Sequence, residues 1–242
     1  MPTDYPRGQW LAPHRHERAQ LIYAASGLMQ VRTPDGEWLV PPLRAVWVPA
    51  QVEHSVRMVT AVAMRSLFIA PSAAPVALAR CAVVEIGALM RELIVQAACE
   101  PVETRVTRRS VLLGDLLLDE LARLPQLPLH LPLPREARLR RVCAAIVADP
   151  RPSMTLAHWG ARTGASARTL ARLFVAQTGM TYGVWLRQAR LSAAIALLAQ
   201  DWPVARVARR IGYRSTSAFI AMFRRALGTT PAHYTVLPAM RD

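Results

Sequence analysis

The chain contains no lysine, only three cysteines and few aromatic residues among its 242 positions. Cys81, Cys99 and Cys143 lie far apart and form no Cys-x-x-Cys pair, which argues against a disulfide framework and a thiolate zinc site. Because free cysteines are usually buried, we expect all three to be small core residues.

Long apolar runs are also missing. No stretch of about 18 uninterrupted apolar residues occurs, and residues 1–16 lack the apolar core of a secretion signal. We therefore expect a cytoplasmic protein that does not bind a membrane. The length and the hydrophobic content of 52% predict two domains.

The positive charge is concentrated in one half of the chain. Residues 1–135 contain 14 arginines against 12 acidic residues, whereas residues 136–242 contain 16 arginines against 4 acidic residues. Attraction to phosphate is the sequence-independent part of nucleic-acid affinity, so this asymmetry predicts that the C-terminal half binds DNA. The solvated charged faces of an ordinary basic protein would instead be spread over the whole chain.

Short segments with the spacing of strands and turns occupy residues 18–70 and predict an antiparallel β-barrel or sandwich. The spacing of apolar residues becomes helical over residues 83–98 and 104–124. The second helix carries a broad apolar stripe that can close the barrel or pair two subunits. The stripe consists of Leu112, Leu113, Leu116, Leu117 and Leu121. Prolines between residues 125 and 135 exclude a helix there and predict an extended linker.

Residues 155–179 and 204–228 are two diverged copies of one helix-turn-helix unit, with one residue inserted in the turn of the second copy. The aligned pairs are Gly160 with Ala208, Gly164 with Gly212, Ser166 with Ser215, Leu170 with Phe219, Phe174 with Phe223 and Gly179 with Gly228. Between the copies, residues 181–200 predict a helix about 30 Å long. That length is close to the turn of B-DNA, about 34 Å, so the two copies favour recognition of successive major grooves.

The second helix of each copy has a core face and an outward face. In the first copy we expect Arg168 and Arg172 to reach base edges or phosphates. In the second copy we expect Ile220 or Ala221 to contact thymine methyl groups, and the arginines to contact phosphates. The predicted DNA-binding residues are Arg168, Thr169, Ala171, Arg172, Arg214, Thr216, Ser217, Ile220, Ala221, Arg224 and Arg225. The alternative is the solvated face of an ordinary helical hairpin.

The C-terminal hundred residues resemble the DNA-binding domain of the arabinose-regulator (AraC/XylS) family of bacterial transcription factors. The resemblance rests on SARTLARLF at 166–174, GMTYGVWLRQARL at 179–191 and IGYRSTSAFIAMFRRALGTTPAHY at 211–234. It implies a regulator that binds double-stranded promoter DNA, with RNA polymerase as a candidate second partner. The family's DNA-facing positions fall on the same two helices, with alanine at 171 and 221 where long polar side chains are often found.

The N-terminal part resembles the cupin barrel that many such regulators use as a sensor. The first cupin motif, with glutamine in place of the usual glutamate, is reproduced by Gly8, His14, His16, Gln20 and Gly27. Residues 49–54 reproduce the second motif, with glutamine in place of glycine, and end in His54. The resemblance implies a small-molecule effector and a divalent transition metal bound by His14, His16, Gln20 and His54, because imidazoles suit Zn, Fe, Ni or Cu. The alternative is a polar cluster that hydrogen-bonds internally or binds an organic effector.

These features predict a multidomain α+β protein with an N-terminal antiparallel β-barrel and a C-terminal all-α domain. We expect a cupin-like sensing barrel at 1–80, a helical dimerisation segment at 81–124, a proline-rich linker at 125–135 and a tandem helix-turn-helix domain at 136–242. One hypothesis is a ligand-responsive, homodimeric transcriptional regulator without enzymatic activity. The other is a metal-dependent cupin enzyme with an accessory nucleic-acid-binding domain. We favour the regulator, because it explains the repeat, the charge asymmetry and the linker together.

Overall fold

The computed structural model describes residues 2–99, 106–127, 129–151 and 154–235. The chain divides into two compact units. The described residues of the N-terminal unit lie within 2–33 and 38–129, and those of the C-terminal unit lie within 34–37 and 130–235.

Antiparallel strands make up most of the N-terminal unit. They are β1 (Pro2–Tyr5), β2 (Trp10–His14), β3 (Ala19–Ser26), β4 (Met29–Thr33), β5 (Gly36–Val40), β6 (Arg44–Val48), β7 (His54–Met58), β8 (Val62–Ile69), β9 (Ala82–Glu85) and β10 (Gln126–Leu127). One sheet has the order β1-β8-β3-β6-β9-β10, and the other contains β5-β4-β7-β2. The strands expected within residues 18–70 are confirmed, but they form two sheets in a jelly-roll-like arrangement and not one closed barrel.

Strand β3 is buried along most of its length because both of its faces are covered. Successive side chains of a strand point to opposite faces. Leu21 and Tyr23 belong to the apolar core beneath the helices of this unit. On the opposite face, Gln20 Oε1 lies 3.0 Å from His54 Nε2 of the other sheet. The double coverage explains why β3 is a continuous apolar run and not an alternating one.

The helical prediction for residues 83–98 is wrong at its beginning. Val83 and Val84 lie in strand β9 and are paired with Val46 and Ala45 of β6. Branched side chains such as valine favour the extended backbone, and helix α1 begins only at Ala88 and ends at Cys99.

Helix α2 (Arg108–Ala122) divides the predicted leucine stripe between two environments. Leu117 and Leu121 are buried in the same core as α1, with Leu113 packed against them. Leu112 and Leu116 are 57% and 42% exposed. One edge of the stripe therefore covers the sheet, and the other edge faces solvent. Residues 104 and 105 of the predicted helix lie outside the described residues.

The C-terminal unit is helical. After strand β11 (His130–Pro132) come α3 (Ala137–Ala148), α4 (Leu156–Thr163), α5 (Ala167–Thr178), α6 (Tyr182–Leu198), α7 (Val204–Arg210), α8 (Thr216–Leu227) and α9 (Pro231–Thr235). Ser166 and Ser215 cap α5 and α8 by accepting hydrogen bonds from backbone N–H groups three residues later. Both helices end at a left-handed glycine, Gly179 and Gly228. In the described part of the chain, no helix is long and apolar enough to cross a membrane.

Each helix-turn-helix copy encloses aromatic residues. In the first, Phe174 lies against Trp185 of α6, with ring centroids 5.9 Å apart. The Trp185 indole donates a hydrogen bond to Pro132 O at 2.9 Å, which ties β11 to this core. In the second, Phe223 packs edge-to-face on Tyr234 of α9 at 5.2 Å.

The three cysteines differ in burial, so the expectation of three core residues is wrong in part. Cys143 is buried in α3, and this burial raises the pKa of its thiol. Cys81 is half-buried, and Cys99 is exposed. The last core-facing position of α1 is occupied by Ala98, which leaves Cys99 at the exposed end of the helix.

The turn of the first copy is shorter than that of the second. Three residues separate α4 from α5, whereas five separate α7 from α8. A Cβ atom on Gly160 would collide with the backbone oxygen of Ala165 in the short turn. Ala208 occupies the equivalent position of the second copy, where the turn is longer.

Gly160→Ala should destabilise the C-terminal unit by roughly 1–3 kcal/mol, because the added methyl group forces the α4–α5 turn to shift. Urea unfolding of the full chain measures this loss. Gly183→Ala is the matched control, since the nearest atom to its new Cβ is Arg187 Nη1 at 3.8 Å. Better helix propensity should leave the control at least as stable as the parent chain. Equal destabilisation of both variants would contradict the assignment.

Candidate nucleic-acid interface and histidine cluster

Helix α5 presents the predicted reading face of the first copy to solvent. Arg168, Ala171 and Arg172 are exposed, whereas Leu170 and Phe174 are buried. The two arginines lie one helical turn apart. Within the described residues, neither arginine forms an ion pair with an acidic side chain. Their guanidinium groups are therefore available to an anionic partner.

Thr169 differs from the other predicted residues of α5. It is half-buried, and its hydroxyl lies 2.9 Å from the hydroxyl of Ser166. Its backbone N–H also donates to Ser166 at 3.0 Å. Thr169 therefore takes part in the hydrogen bonds that cap the N-terminus of the helix.

Helix α8 presents a surface of different chemistry. Its predicted residues are exposed, except for the half-buried Ile220; the exposed ones are Thr216, Ser217, Ala221, Arg224 and Arg225. All of these except Thr216 line, with Ile220, a shallow concavity of about 640 Å³. Arg214 is exposed in the preceding turn. The centre of this surface is small and apolar, and its C-terminal end is basic.

Helix α6 connects the two copies. Its 17 residues correspond to about 25 Å, somewhat less than the predicted 20 residues would give. It packs against α3 and α5 of the first half and against α7 of the second. The helix thus contacts both helix-turn-helix copies.

A polar network near the end of α3 joins the two halves of the C-terminal unit. Arg190 of α6 is buried, and its Nε donates to Pro150 O at 3.0 Å while Nη2 donates to Arg151 O at 3.3 Å. Asp149 accepts hydrogen bonds from Arg151 at 2.8 Å and from Arg210 of α7 at 3.1 Å. These bonds fix α7 relative to α3 and α6. Asp149 and Arg210 are 61 residues apart, so no local sequence pattern marks their pairing.

Gly212 allows this close approach. Its φ of 88° lies in the left-handed region, and a Cβ there would lie 2.9 Å from both Arg151 Cα and Arg190 Nη2. A side chain at this position would displace the guanidinium group. The glycine therefore has a packing role in addition to its conformational one.

The structure brings His14, His16 and His54 together between the two sheets. His14 ends β2 and is paired in register with His54 at the start of β7. The ring centroids of the three lie 4.4, 4.9 and 5.5 Å apart. Their candidate ligand atoms all lie within 4.8 Å of one another, and among the residues described no cysteine or carboxylate joins the group.

Gln20, the fourth predicted ligand, reaches the cluster from the other sheet. Its Oε1 lies 3.0 Å from His54 Nε2. Its Nε2 donates to the hydroxyl of Ser66 on β8 at 3.2 Å. Ser66 was not predicted, because it is 46 residues from Gln20 and belongs to no motif.

The environment favours neutral imidazoles. The pKa of His54 is lowered to about 4, mainly by burial; the hydrogen bond to Val52 opposes this shift, and the neighbouring His14 and His16 add to it. Burial, followed by His14, also lowers the pKa of His16. Neutral imidazole is the form that ligates metals.

The donor chemistry of the cluster fits a divalent transition metal. His14 and His54 have Nδ1 at 2.7 and 3.0 Å from the carbonyl oxygens of Ala12 and Val52, which leaves each Nε2 with a lone pair. His16 Nε2 is buried and has no hydrogen-bond partner in the described part of the chain. The three histidines would hold the ion, which would supply a Lewis acid.

Both parts of the chain are similar to known protein domains. Residues 4–123 match the family model of an AraC-like ligand binding domain, and residues 159–235 match that of a helix-turn-helix domain. The chain is 36% identical over 221 residues to the HTH-type transcriptional regulator NimR of Escherichia coli K12, covering 91% of this chain and 81% of the relative. It is 36% identical over 104 residues to the regulator RipA of Corynebacterium glutamicum, covering 43% of this chain and 31% of the relative.

Two of the similar solved structures match the C-terminal part of the chain. A DNA-binding transcriptional dual regulator of Escherichia coli K-12 is 28% identical, with a TM-score of 0.38, and the match covers 42% of this chain and 91% of that one. The DNA-binding domain of AdpA, crystallised with a target DNA, is 35% identical with a TM-score of 0.39, covering 41% and 91% of the two chains.

The two matched domains and the similarity to NimR over most of the chain define a two-domain transcriptional regulator. The chain belongs to the AraC family. It combines an AraC-like ligand-binding domain, as the resemblance of the N-terminal part implied, with a helix-turn-helix DNA-binding domain, as the repeat and the charge asymmetry predicted.

Asp149→Asn should lower the Tm of the C-terminal unit by roughly 2–4 °C at pH 7, because the half-exposed carboxylate loses its charge-assisted bonds. Arg151, followed by Arg210, holds the pKa of Asp149 well below its usual range. Because the pKa of Asp149 is lower in the folded chain than in the unfolded chain, its ionisation stabilises the fold at pH values above the unfolded pKa of about 4. This contribution is lost as the pH falls through the pKa of the folded chain. Calorimetry at decreasing pH should therefore show the parent and the variant converging. Asp201→Asn, which removes an exposed carboxylate, is the control; a pH-independent difference for Asp149→Asn would refute the assignment.

Proposed function

We propose that the chain regulates transcription in the cytoplasm by reading promoter DNA mainly through α5, while α8 occupies an adjacent major groove. The supporting observation is the exposed face of α5, where Arg168 and Arg172 lie one turn apart without acidic partners in the described residues. Arginine is the side chain that pairs bidentately with guanine in the major groove. Ala171 between them is small, which lets the helix approach the bases closely.

The chemistry of α8 supports a different contribution. Ile220 and Ala221 at the centre of its surface suit thymine methyl groups, and the hydroxyls of Thr216 and Ser217 suit base edges or phosphates. Arg214 precedes the helix, and Arg224 and Arg225 lie near its end. These positions favour contact with the DNA backbone, which orients the protein but carries little sequence information.

A gel-shift titration with the DNA upstream of the chain's own gene tests the function. A regulator should give a sequence-selective shift whose affinity falls steeply with salt, because bound arginines release counterions from the DNA. Binding that does not distinguish this DNA from unrelated fragments would contradict the proposal.

Arg172→Ala should weaken operator binding by about 1–3 kcal/mol and relax the preference at one base pair. Arg141→Ala is the matched control, because it removes an exposed arginine from α3, outside both recognition helices. Competition binding against a library of single-base operator variants measures both effects. An equal loss on every sequence would show that Arg172 contacts phosphate and does not read a base.

The N-terminal unit also offers a surface for a second copy of the chain. Val111, Leu112 and Leu116 on α2 are 47%, 57% and 42% exposed. Soluble proteins rarely leave a contiguous apolar patch in water unless it binds a partner. The homodimer that we propose would bury this edge of the leucine stripe. Two copies would also double the number of recognition helices on the promoter.

The double variant Leu112→Glu/Leu116→Glu should be monomeric at micromolar concentration, because paired carboxylates would have to be buried in the interface. Sedimentation equilibrium of the full chain measures the association. Val76→Glu is the control, since Val76 is 94% exposed and lies outside α2. A parent chain that is itself monomeric under these conditions would refute the interface.

The alternative of a cupin enzyme receives less support. NimR and RipA are both named as transcriptional regulators. We therefore propose that the N-terminal unit binds a small effector without converting it, and that contact with RNA polymerase follows from promoter binding. A turnover screen of the metal-loaded chain against candidate organic substrates separates the two functions.

A further inference from the structure

A cavity of about 530 Å³ lies along the outer edge of β8 in the N-terminal unit, and we call it the β8-edge cavity. Residues 66–70, the end of β8 and the residue after it, all line this cavity. Because successive side chains of a strand point to opposite faces, consecutive residues can line one cavity only along the edge of the strand. Strand β1 pairs with β8 from Val62 to Arg65, and within the described residues no strand covers this edge beyond Arg65. The cavity therefore lies beside unpaired backbone groups.

Helices α1 and α2 supply an apolar wall of the β8-edge cavity. This wall includes Ala97 and Ala98 at the end of α1 and Leu117 and Leu118 of α2. Ala98 and Leu117 are buried, so the wall extends into the interior of the unit. None of the three clustered histidines is among the described residues that line the cavity. Cavities of this size with apolar walls commonly bind small organic molecules.

Gly114 of α2 also lines the cavity, and the helix itself does not require a glycine there. Gly114 lies within α2, and its φ is not in the left-handed region. A Cβ atom at this position would meet no other atom within 4 Å, so no neighbouring group needs the space. Glycine destabilises the interior of a helix relative to alanine. The glycine therefore widens the cavity at a cost to the helix that no packing contact offsets.

The charge of the cavity indicates which molecule it would accept. Arg18 is the one charged side chain among the described residues that line it. Arg18 is exposed, and within the described residues it forms no ion pair with an acidic side chain. Leu117, in contrast, is 5% exposed. The cavity is thus cationic on its solvent side and apolar on its inner side. A guanidinium group binds a carboxylate through two parallel hydrogen bonds, and a single arginine balances a single negative charge.

We propose that the N-terminal unit binds a small organic monocarboxylate in the β8-edge cavity, with the carboxylate paired to Arg18 and the apolar body against α1 and α2. This inference rests on the proposed function, because it names the class of effector that the ligand-binding domain would detect. Helix α2 lines the cavity and also carries Leu112 and Leu116 of the proposed dimer surface. A bound molecule would therefore contact the helix through which we propose that two chains pair.

Isothermal titration of the full chain with decanoate, below its micelle concentration, tests whether the cavity is the binding site. We expect one decanoate per chain. Gly114→Phe should weaken this binding at least tenfold, because the new ring enters the open space beside α2. Gly183→Phe, the same substitution on the exposed surface of α6, is the control and should bind as the parent does. A parent chain that binds decanoate no more tightly than Gly114→Phe would overturn the site.

Arg18 is tested separately with decanoate and 1-decanol, which share an apolar chain and differ in the charged group. Arg18→Gln should weaken decanoate binding about three- to tenfold and leave decanol binding unchanged, because only the carboxylate pairs with the guanidinium. Arg7→Gln removes an exposed arginine that is not among the described lining residues, and it should change neither affinity. An equal change for both ligands would refute the pairing with Arg18. Since Arg18 is exposed, this test remains decisive if Gly114→Phe does not fold.

A gel shift with the same preparation distinguishes failure of the cavity from failure of the proposed function. A chain that shifts promoter DNA selectively but does not bind decanoate would overturn the cavity alone. A chain that binds decanoate through Arg18 but shows no selective shift would support the cavity and contradict the regulator.

Discussion

Arg190 donates hydrogen bonds to two carbonyl groups of the loop that follows α3, and its guanidinium also lies over the ring of Tyr213, 5.7 Å from the centroid. It is one of the few buried charged side chains in the described residues. A buried guanidinium is tolerated only when its N–H groups are satisfied, so the loop after α3 must approach it, and the turn between α7 and α8 packs on it through Tyr213. Together with the ion pair between Asp149 and Arg210, this contact holds the second copy against the loop after α3.

Features that act over a few residues could be predicted from the sequence. Ser166 and Ser215 cap their helices as expected, and the terminal glycines adopt the left-handed backbone, because a cap involves only the adjacent turn. The six strands within residues 18–70 were also identified, since the turns between them are marked by local residues. The helical assignment of Val83 and Val84 failed because pairing with β6, nearly forty residues away, decides their conformation.

Most polar contacts between residues far apart in the sequence could not be predicted. The three histidines and Gln20 were identified from the two cupin motifs, because the strands that carry these motifs lie close together in the fold that the resemblance implies. Nothing in the sequence pointed to Ser66, which orients Gln20 from a different strand. The sequence likewise gave no indication that Asp149 pairs with Arg210, because only the fold brings the two side chains together. The leucine stripe of α2 was recognised, but its division into a buried and an exposed edge depends on how α1 and the sheet cover it.

The absence of lysine has a chemical consequence for the surface formed by α5 and α8. Every basic group on it is a guanidinium, which stays protonated at any pH that the fold survives. Acetyl transfer, which cancels the charge of a lysine ammonium group, has no acceptor side chain on this surface. The positive charge of this surface therefore does not vary with pH or with lysine modification. Salt, and signals from the ligand-binding domain, can still change the attraction of this surface for DNA.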